Sequence, residues 1–100
     1  NIDYGKLDYH FTAFIGILLT KSNRTQEVLK ELATIPNVVE ASVISGKYNI
    51  FCKVRAKHTE DAKRIIYQID DIQDVMRTES MISMEEYLSD KNRLINAISV

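Results

Sequence analysis

The chain has 100 residues, with 13 Lys plus Arg set against 14 Asp plus Glu, a formal net charge of −1. That length supports one domain with a single two-layer core and excludes a multidomain arrangement, while charges that nearly cancel exclude a strongly basic, polyanion-gripping field. The one cysteine, Cys52, excludes an internal disulfide and, set in an apolar run, is expected to be a buried thiol in a reducing compartment.

No apolar run approaches the roughly 20 residues needed to span a bilayer, and no signal-peptide pattern opens the chain, so a cytoplasmic location without membrane contact is expected. Residues 11–20 are rich in β-formers, with Phe11, Ala13, Ile15, Ile17 and Leu19 on one parity and Phe14 and Leu18 on the other. This predicts a strand apolar on both sides. Asn23, followed three residues later by Gln26, reads as a capping box for a helix whose apolar positions are Val28, Leu29, Leu32 and Ile35, ended by Pro36.

A second strand is expected over residues 38–44, then a turn on Ser45-Gly46-Lys47 and a third strand to Val54. Gly46 can take a positive φ at little cost, so the two strands should be antiparallel neighbours joined by a hairpin connection. Thr59 offers a second N-cap, with Glu60 and Asp61 in the first turn and Ala62, Ile65, Ile66, Ile69 and Ile72 as one apolar stripe. A last core strand is predicted over residues 75–86, with Met76, Thr78, Ser80, Ile82 and Met84 on one face. Residues 89–93 form a polar break, and the apolar end from Leu94 to Val100 is expected to pack as a short strand on a neighbouring subunit.

Four strands and two helices in this order predict an α+β, ferredoxin-like βαββαβ fold, an antiparallel sheet with both helices on one face. Apolar residues on both parities, among them Phe14, Leu18, Ile44 and Phe51, predict that a second copy's sheet covers the other face.

Little in the chain suggests catalysis. His10 and His58 lack a partner at a metal-site spacing, and Cys52 has no base beside it, so neither a metal nor a cofactor is expected. The pairs Asp70-Asp71 and Glu85-Glu86 diverge on their elements and read as solvated charges. The tyrosines at 4, 9, 48, 67 and 87 are too scattered for a base-stacking platform. What remains is the turn Ser45-Gly46-Lys47-Tyr48 with the Asn49 amide, and the hydroxyls of Thr78 and Ser80. Together these could offer donors to a carboxylate and acceptors to an ammonium, the two ends of a small zwitterion; an ordinary hairpin and two strand hydroxyls is the other reading.

The stretches Thr12-Ala13-Phe14-Ile15-Gly16-Ile17, Ile35-Pro36-Asn37-Val38-Val39-Glu40-Ala41, Ser45-Gly46-Lys47-Tyr48-Asn49-Ile50-Phe51-Cys52-Lys53-Val54 and Val75-Met76-Arg77-Thr78-Glu79-Ser80-Met81-Ile82 resemble, in order, the C-terminal domain of the Lrp/AsnC (feast/famine) transcriptional regulators, the RAM domain. The resemblance implies a homodimer formed sheet to sheet, assembly to an octamer, and a small effector, an amino acid, bound between dimers. Carried over, Ser45, Gly46, Lys47, Tyr48, Asn49, Thr78 and Ser80 would line that pocket. The family commonly has Asp where Asn49 stands and often Thr where Ser80 stands; an amide at 49 removes a charge that could pair with an ammonium.

Residues 1–10 resemble the family's linker strand, 11–88 its effector domain and 89–100 its tail, and DNA contact is expected only through an N-terminal helix-turn-helix domain absent from this sequence. Two alternatives stay open: a stand-alone structural or effector module, and a dimeric ferredoxin-like enzyme of the monooxygenase type.

Overall fold

The computed structural model describes residues 8–98. Strand β1 (Phe11–Leu19) is followed by helix α1 (Thr25–Leu32), strands β2 (Val38–Val43) and β3 (Ile50–Ala56), helix α2 (Thr59–Asp70), strand β4 (Val75–Ile82) and a short helix α3 (Arg93–Ile98). The sheet order is β2-β3-β1-β4, and every neighbouring pair is antiparallel. Each long helix therefore carries the chain over one intervening strand, the split βαβ arrangement that the sequence pattern predicts.

The core lies between the sheet and the helices. Ile15 and Ile17 of β1 and Ile50, Cys52 and Val54 of β3 meet Val28 and Leu32 of α1 and Ala62, Ile65 and Ile69 of α2. On β3 burial alternates without a break from Ile50 to Ala56, so one parity of the strand faces the helices. Full burial of side chains such as Ile15 or Ile65 stabilises the fold by about 1.5–3 kcal/mol each.

The other face of the sheet carries no helix and is mixed in character. Phe14 and Phe51 stack with ring centroids 5.9 Å apart, and Lys53 stands 5.9 Å over the Phe14 ring while pairing with Glu40 at 3.7 Å. Toward its edge Arg55 donates to Thr12 Oγ1 at 2.8 Å and to Glu86 Oε1 at 2.6 Å.

Several boundaries differ from the sequence expectations. Asn23 does not cap α1: it sits inside a 3-10 turn over Ser22–Arg24, and α1 begins at Thr25 with no side-chain cap from Arg24. Nor does Thr59 cap α2. His58 does, in extended backbone, its Nδ1 accepting from Asp61 N at 3.2 Å, while Asp61 Oδ2 accepts from Lys57 N at 3.0 Å. The reciprocal pair satisfies two donors, and an imidazole nitrogen serves where a hydroxyl was expected.

Strand β4 ends at Ile82 rather than 86, where its regular pairing with β1 stops. Ile82 faces Ala13, Ser83 N donates to Thr12 O, and β1 starts one residue earlier at Phe11. As far as it is described, to Ile98, the apolar end is helix α3 and not a strand; ahead of it Asp90 Oδ1 accepts from Asn92 N at 2.9 Å, a local turn that favours helix entry. Leu94, Ile95 and Ile98 on α3 are exposed. The expected linker strand lies outside the described residues except at 8–10, which form no strand.

Candidate functional site

The β2–β3 connection is held at its root by Asn49. Its backbone N donates to Ile17 O at 2.9 Å and its backbone O accepts from Ile44 N at 3.1 Å. Its side-chain Oδ1 accepts from Leu19 N at 2.9 Å. The regular β1–β3 pairing stops at Ile17 opposite Ile50, so the side chain supplies the acceptor that a continued β3 backbone would have given Leu19. An oxygen is what this position uses, and an Asp or an Asn provides one.

From that anchor the turn stands free. Ser45, Gly46 and Lys47 are exposed, and Gly46 has φ +117 with open space where a Cβ would be, so glycine is required there by backbone conformation, not by crowding. Tyr48 then folds back onto the sheet. Its ring lies against Gly16, where an added Cβ would come within 2.8 Å of Tyr48 Cδ2. Its hydroxyl donates to Glu79 Oε1 at 2.5 Å, and this bond raises the Tyr48 pKa above its ordinary value. Lys47 Nζ is 5.9 Å from the ring centroid.

The β4 hydroxyls lie on the opposite side. Thr78 faces Ile17 and Ser80 faces Ile15 across the β1–β4 pairing, whereas Glu79 faces Gly16. Thr78 and Ser80 therefore share the helix-covered side with the core, and Tyr48 and Glu79 share the open side. Thr78 Oγ1 donates to Asp70 Oδ1 at 2.6 Å. Within one chain the two hydroxyls share one face of β4, while Tyr48, at the end of the turn, lies against the other face.

Asp70 and Glu79 are the partners that sequence reasoning missed. In sequence Asp70 has the look of a solvated charge, and Glu79 carries no signal because its partner is 31 residues away. A cleft of about 530 Å³ between α1 and the C-terminal end of α2, with Glu27, Glu31, Gln68 and Asp71 among its walls, contains none of the candidate residues. Among the described residues no cluster of His, Cys, Asp or Glu is arranged to hold a metal ion. Cys52 is buried, and burial pushes its thiol up to about 12, so it is packing material rather than a nucleophile. No helix among the described residues is long and apolar enough to cross a membrane.

Comparison with known proteins follows this geometry. Residues 12–93 match the Lrp/AsnC ligand binding domain. The regulatory protein AsnC of Haemophilus influenzae is 35% identical over 85 residues, which cover 84% of this chain and 57% of that protein. The structure of E. coli AsnC superposes with a TM-score of 0.85 at 26% identity, covering 90% of this chain and 61% of that one. A more distant fold match, at 20% identity and a TM-score of 0.80, is the feast or famine regulatory protein from M. tuberculosis complexed with L-methionine; it covers 91% of this chain and 61% of that one. The chain thus spans little more than half the length of these regulators, and it belongs to the Lrp/AsnC family, whose ligand-binding domain it carries.

Proposed function

We propose that this chain is the effector-sensing and oligomerisation domain of a transcriptional regulator, binding an amino acid where copies of the chain meet and catalysing no reaction. The observation that carries the reading is the β2–β3 turn: exposed backbone at Ser45, Gly46 and Lys47 on a root fixed by three hydrogen bonds at Asn49. Such a loop offers backbone N–H donors to a carboxylate at small ordering cost. Thr78 and Ser80 lie on the other side of the sheet, so a pocket that uses both groups is completed by a second copy. In that pocket the Asp70 carboxylate beside Thr78 supplies the negative charge that Asn49 lacks.

The same reading assigns the open face, with Phe14, Phe51 and Met81, to sheet-to-sheet contact in a homodimer, and dimers to a higher assembly such as an octamer. DNA contact falls to a helix-turn-helix domain elsewhere in the whole regulator. The amino acid as ligand is supported by the L-methionine complex of the M. tuberculosis protein, and the absence of a catalytic step by the regulator name of the AsnC relative.

Thermal unfolding of the chain against each of the twenty amino acids at millimolar concentration, with its solution mass recorded alongside, tests the proposal. A ligand present in excess of its Kd raises the midpoint by mass action, and Thr78→Val or Gly46→Val should abolish the rise. No rise with any amino acid from a well-formed oligomer would remove the sensor role.

A further inference from the structure

The half-buried Tyr48 side chain meets two strands, β1 and β4, and lies near its own neighbour Lys47. Below it is the bare backbone of Gly16 at the centre of β1, close enough that a Cβ there would overlap the ring at 2.8–2.9 Å. Near its ring is the ammonium of Lys47, and at its end is the Glu79 carboxylate of edge strand β4. The bond to Glu79 therefore runs from the β2–β3 connection across β1 to the far edge of the sheet. Tyr48 is one covalent link from the exposed turn, while Glu79 lies on the open side of β4 in the same row as Arg77 and Met81. These two elements have no other direct hydrogen bond among the described residues.

A β1 residue with any side chain at position 16 would lift the ring off the sheet and break the reach to Glu79. The small residue is therefore matched to the tyrosine and not to strand formation, which glycine weakens. We propose that Tyr48 is a positioning residue that transmits the state of the β2–β3 turn to the open face: with the ring down on Gly16 its hydroxyl occupies one Glu79 acceptor, and with the ring withdrawn that acceptor is freed on the row Glu79 shares with Arg77. This rests on the proposed function above for its physiological input, but the link itself is a property of the free chain. A ligand that draws the turn away from the sheet would change which hydrogen-bonding groups are free on the face assigned to self-association, which is a differential contact of the kind a population shift requires.

The test begins without ligand. Tyr48→Phe keeps the ring and removes the hydroxyl, and Glu79→Ala removes the acceptor. Each should speed exchange of the hydrogen-bonded amides of Ile44 and Asn49 at the root of the turn by roughly three- to tenfold, the population change expected for one lost hydrogen bond, and the double variant should be no faster than either single one. Gly16→Ala should do the same by lifting the ring; if it fails to fold, the other two variants decide. Exchange unchanged in Tyr48→Phe, or additive in the double variant, overturns the link.

The second arm adds L-methionine and each of the other amino acids, reading the unfolding midpoint and the self-association constant by sedimentation. In Glu79→Ala, which removes the acceptor and leaves every pocket candidate in place, an amino acid should still raise the midpoint but no longer alter self-association. Loss of both responses would make Glu79 part of the ligand site, and retention of both would make the Tyr48–Glu79 bond a bystander; either result overturns transmission. If no amino acid moves the midpoint of the unaltered chain, the sensor reading fails while the exchange arm still decides whether Tyr48 fastens the turn to β4.

Discussion

Thr78 and Asp70 are joined by a 2.6 Å hydrogen bond in which the hydroxyl donates to the carboxylate, fastening edge strand β4 to the last residue of α2. The two residues flank the α2–β4 connection and brace it from the side. Thr78→Val, which keeps the β-branched shape, should destabilise the chain by about 0.5–1.5 kcal/mol, and Thr78→Ser should cost less because it keeps the donor. A double-mutant cycle with Asp70→Ala, followed by urea unfolding, checks this. Additive effects would mean that the bond contributes nothing.

Asn49 gives the second prediction. Leu19 is 5% exposed, so removing the Oδ1 that its N–H donates to leaves a donor without its partner next to the core. Asn49→Ala should cost about 1–3 kcal/mol, whereas Asn49→Asp keeps an oxygen in place and should stay within roughly 1 kcal/mol of the parent at neutral pH. Urea midpoints with unchanged m-values would confirm it. Equal losses in the two variants would show that the side-chain oxygen is not what holds the turn.

At the start of α2, His58→Ala should cost about 1 kcal/mol by leaving Asp61 N uncapped, and His58→Ser or His58→Asp should recover most of the loss. Helical ellipticity at 222 nm through a thermal scan reads the effect. A Ser variant no better than Ala would place the stabilisation in the reciprocal bond from Lys57 N to Asp61 instead.

Acid should loosen the chain in a defined place. The Arg55 hydrogen bond, then the Arg55 charge and Thr12, hold the Glu86 carboxyl below its usual 4.5. Asp61 is likewise held below 3.8, first by the Lys57 backbone N–H and then by Arg64. A carboxylate whose folded pKa lies below its unfolded value gives stability that is present above the unfolded value and is lost as pH falls through the folded one. Unfolding midpoints should therefore be level near neutrality and fall once pH drops below about 4.5. Glu86→Gln should lower the neutral-pH midpoint and flatten part of that acid slope; an unchanged slope would show that Glu86 does not contribute.

The α2–β4 connection carries a further constraint. Asp74 has φ 76, its backbone O accepts from Thr20 N, and its carboxylate accepts from Arg24 Nε at 2.8 Å. One residue in the left-handed region thus ties the end of β1 to the following turn, a conformation that Asp and Asn tolerate better than most. Asp74→Ala should lower the midpoint by several degrees and Asp74→Asn by less. Comparable losses would assign the effect to the carboxylate bond with Arg24 rather than to the backbone conformation.

Much of the architecture was legible because it is written in short-range patterns. The alternation on β3 and the 3- and 4-residue spacing on α1 and α2 appear directly as buried faces, and Gly46 marks the hairpin because its backbone conformation demands it. The errors have local causes as well: Asn23 and Thr59 have the chemistry of caps but each sits one residue from the N-cap position, which Arg24 and His58 occupy. The β4 pattern ran to 86 because alternation in a sequence does not reveal where the neighbouring strand begins. At the candidate site the turn was legible and its surroundings were not. The Tyr48–Glu79 and Thr78–Asp70 bonds depend on the β1–β4 register, which sets Glu79 on one face and Thr78 on the other, and no spacing within either segment encodes that.

Cys52 gives the molecule a built-in clock. It lies in the middle of central strand β3, facing Ile15 on one neighbouring strand and Ala41 on the other, under the helices and 1% exposed. A thiol reagent reaches it only when the sheet separates from the helices, because fraying at a strand end or movement of the β2–β3 turn leaves the sulfur covered. The chain therefore reports its own global opening by the rate at which one sulfur becomes labelled, and a bound ligand that holds the whole domain shut would slow that rate without any dye, tag or engineered probe.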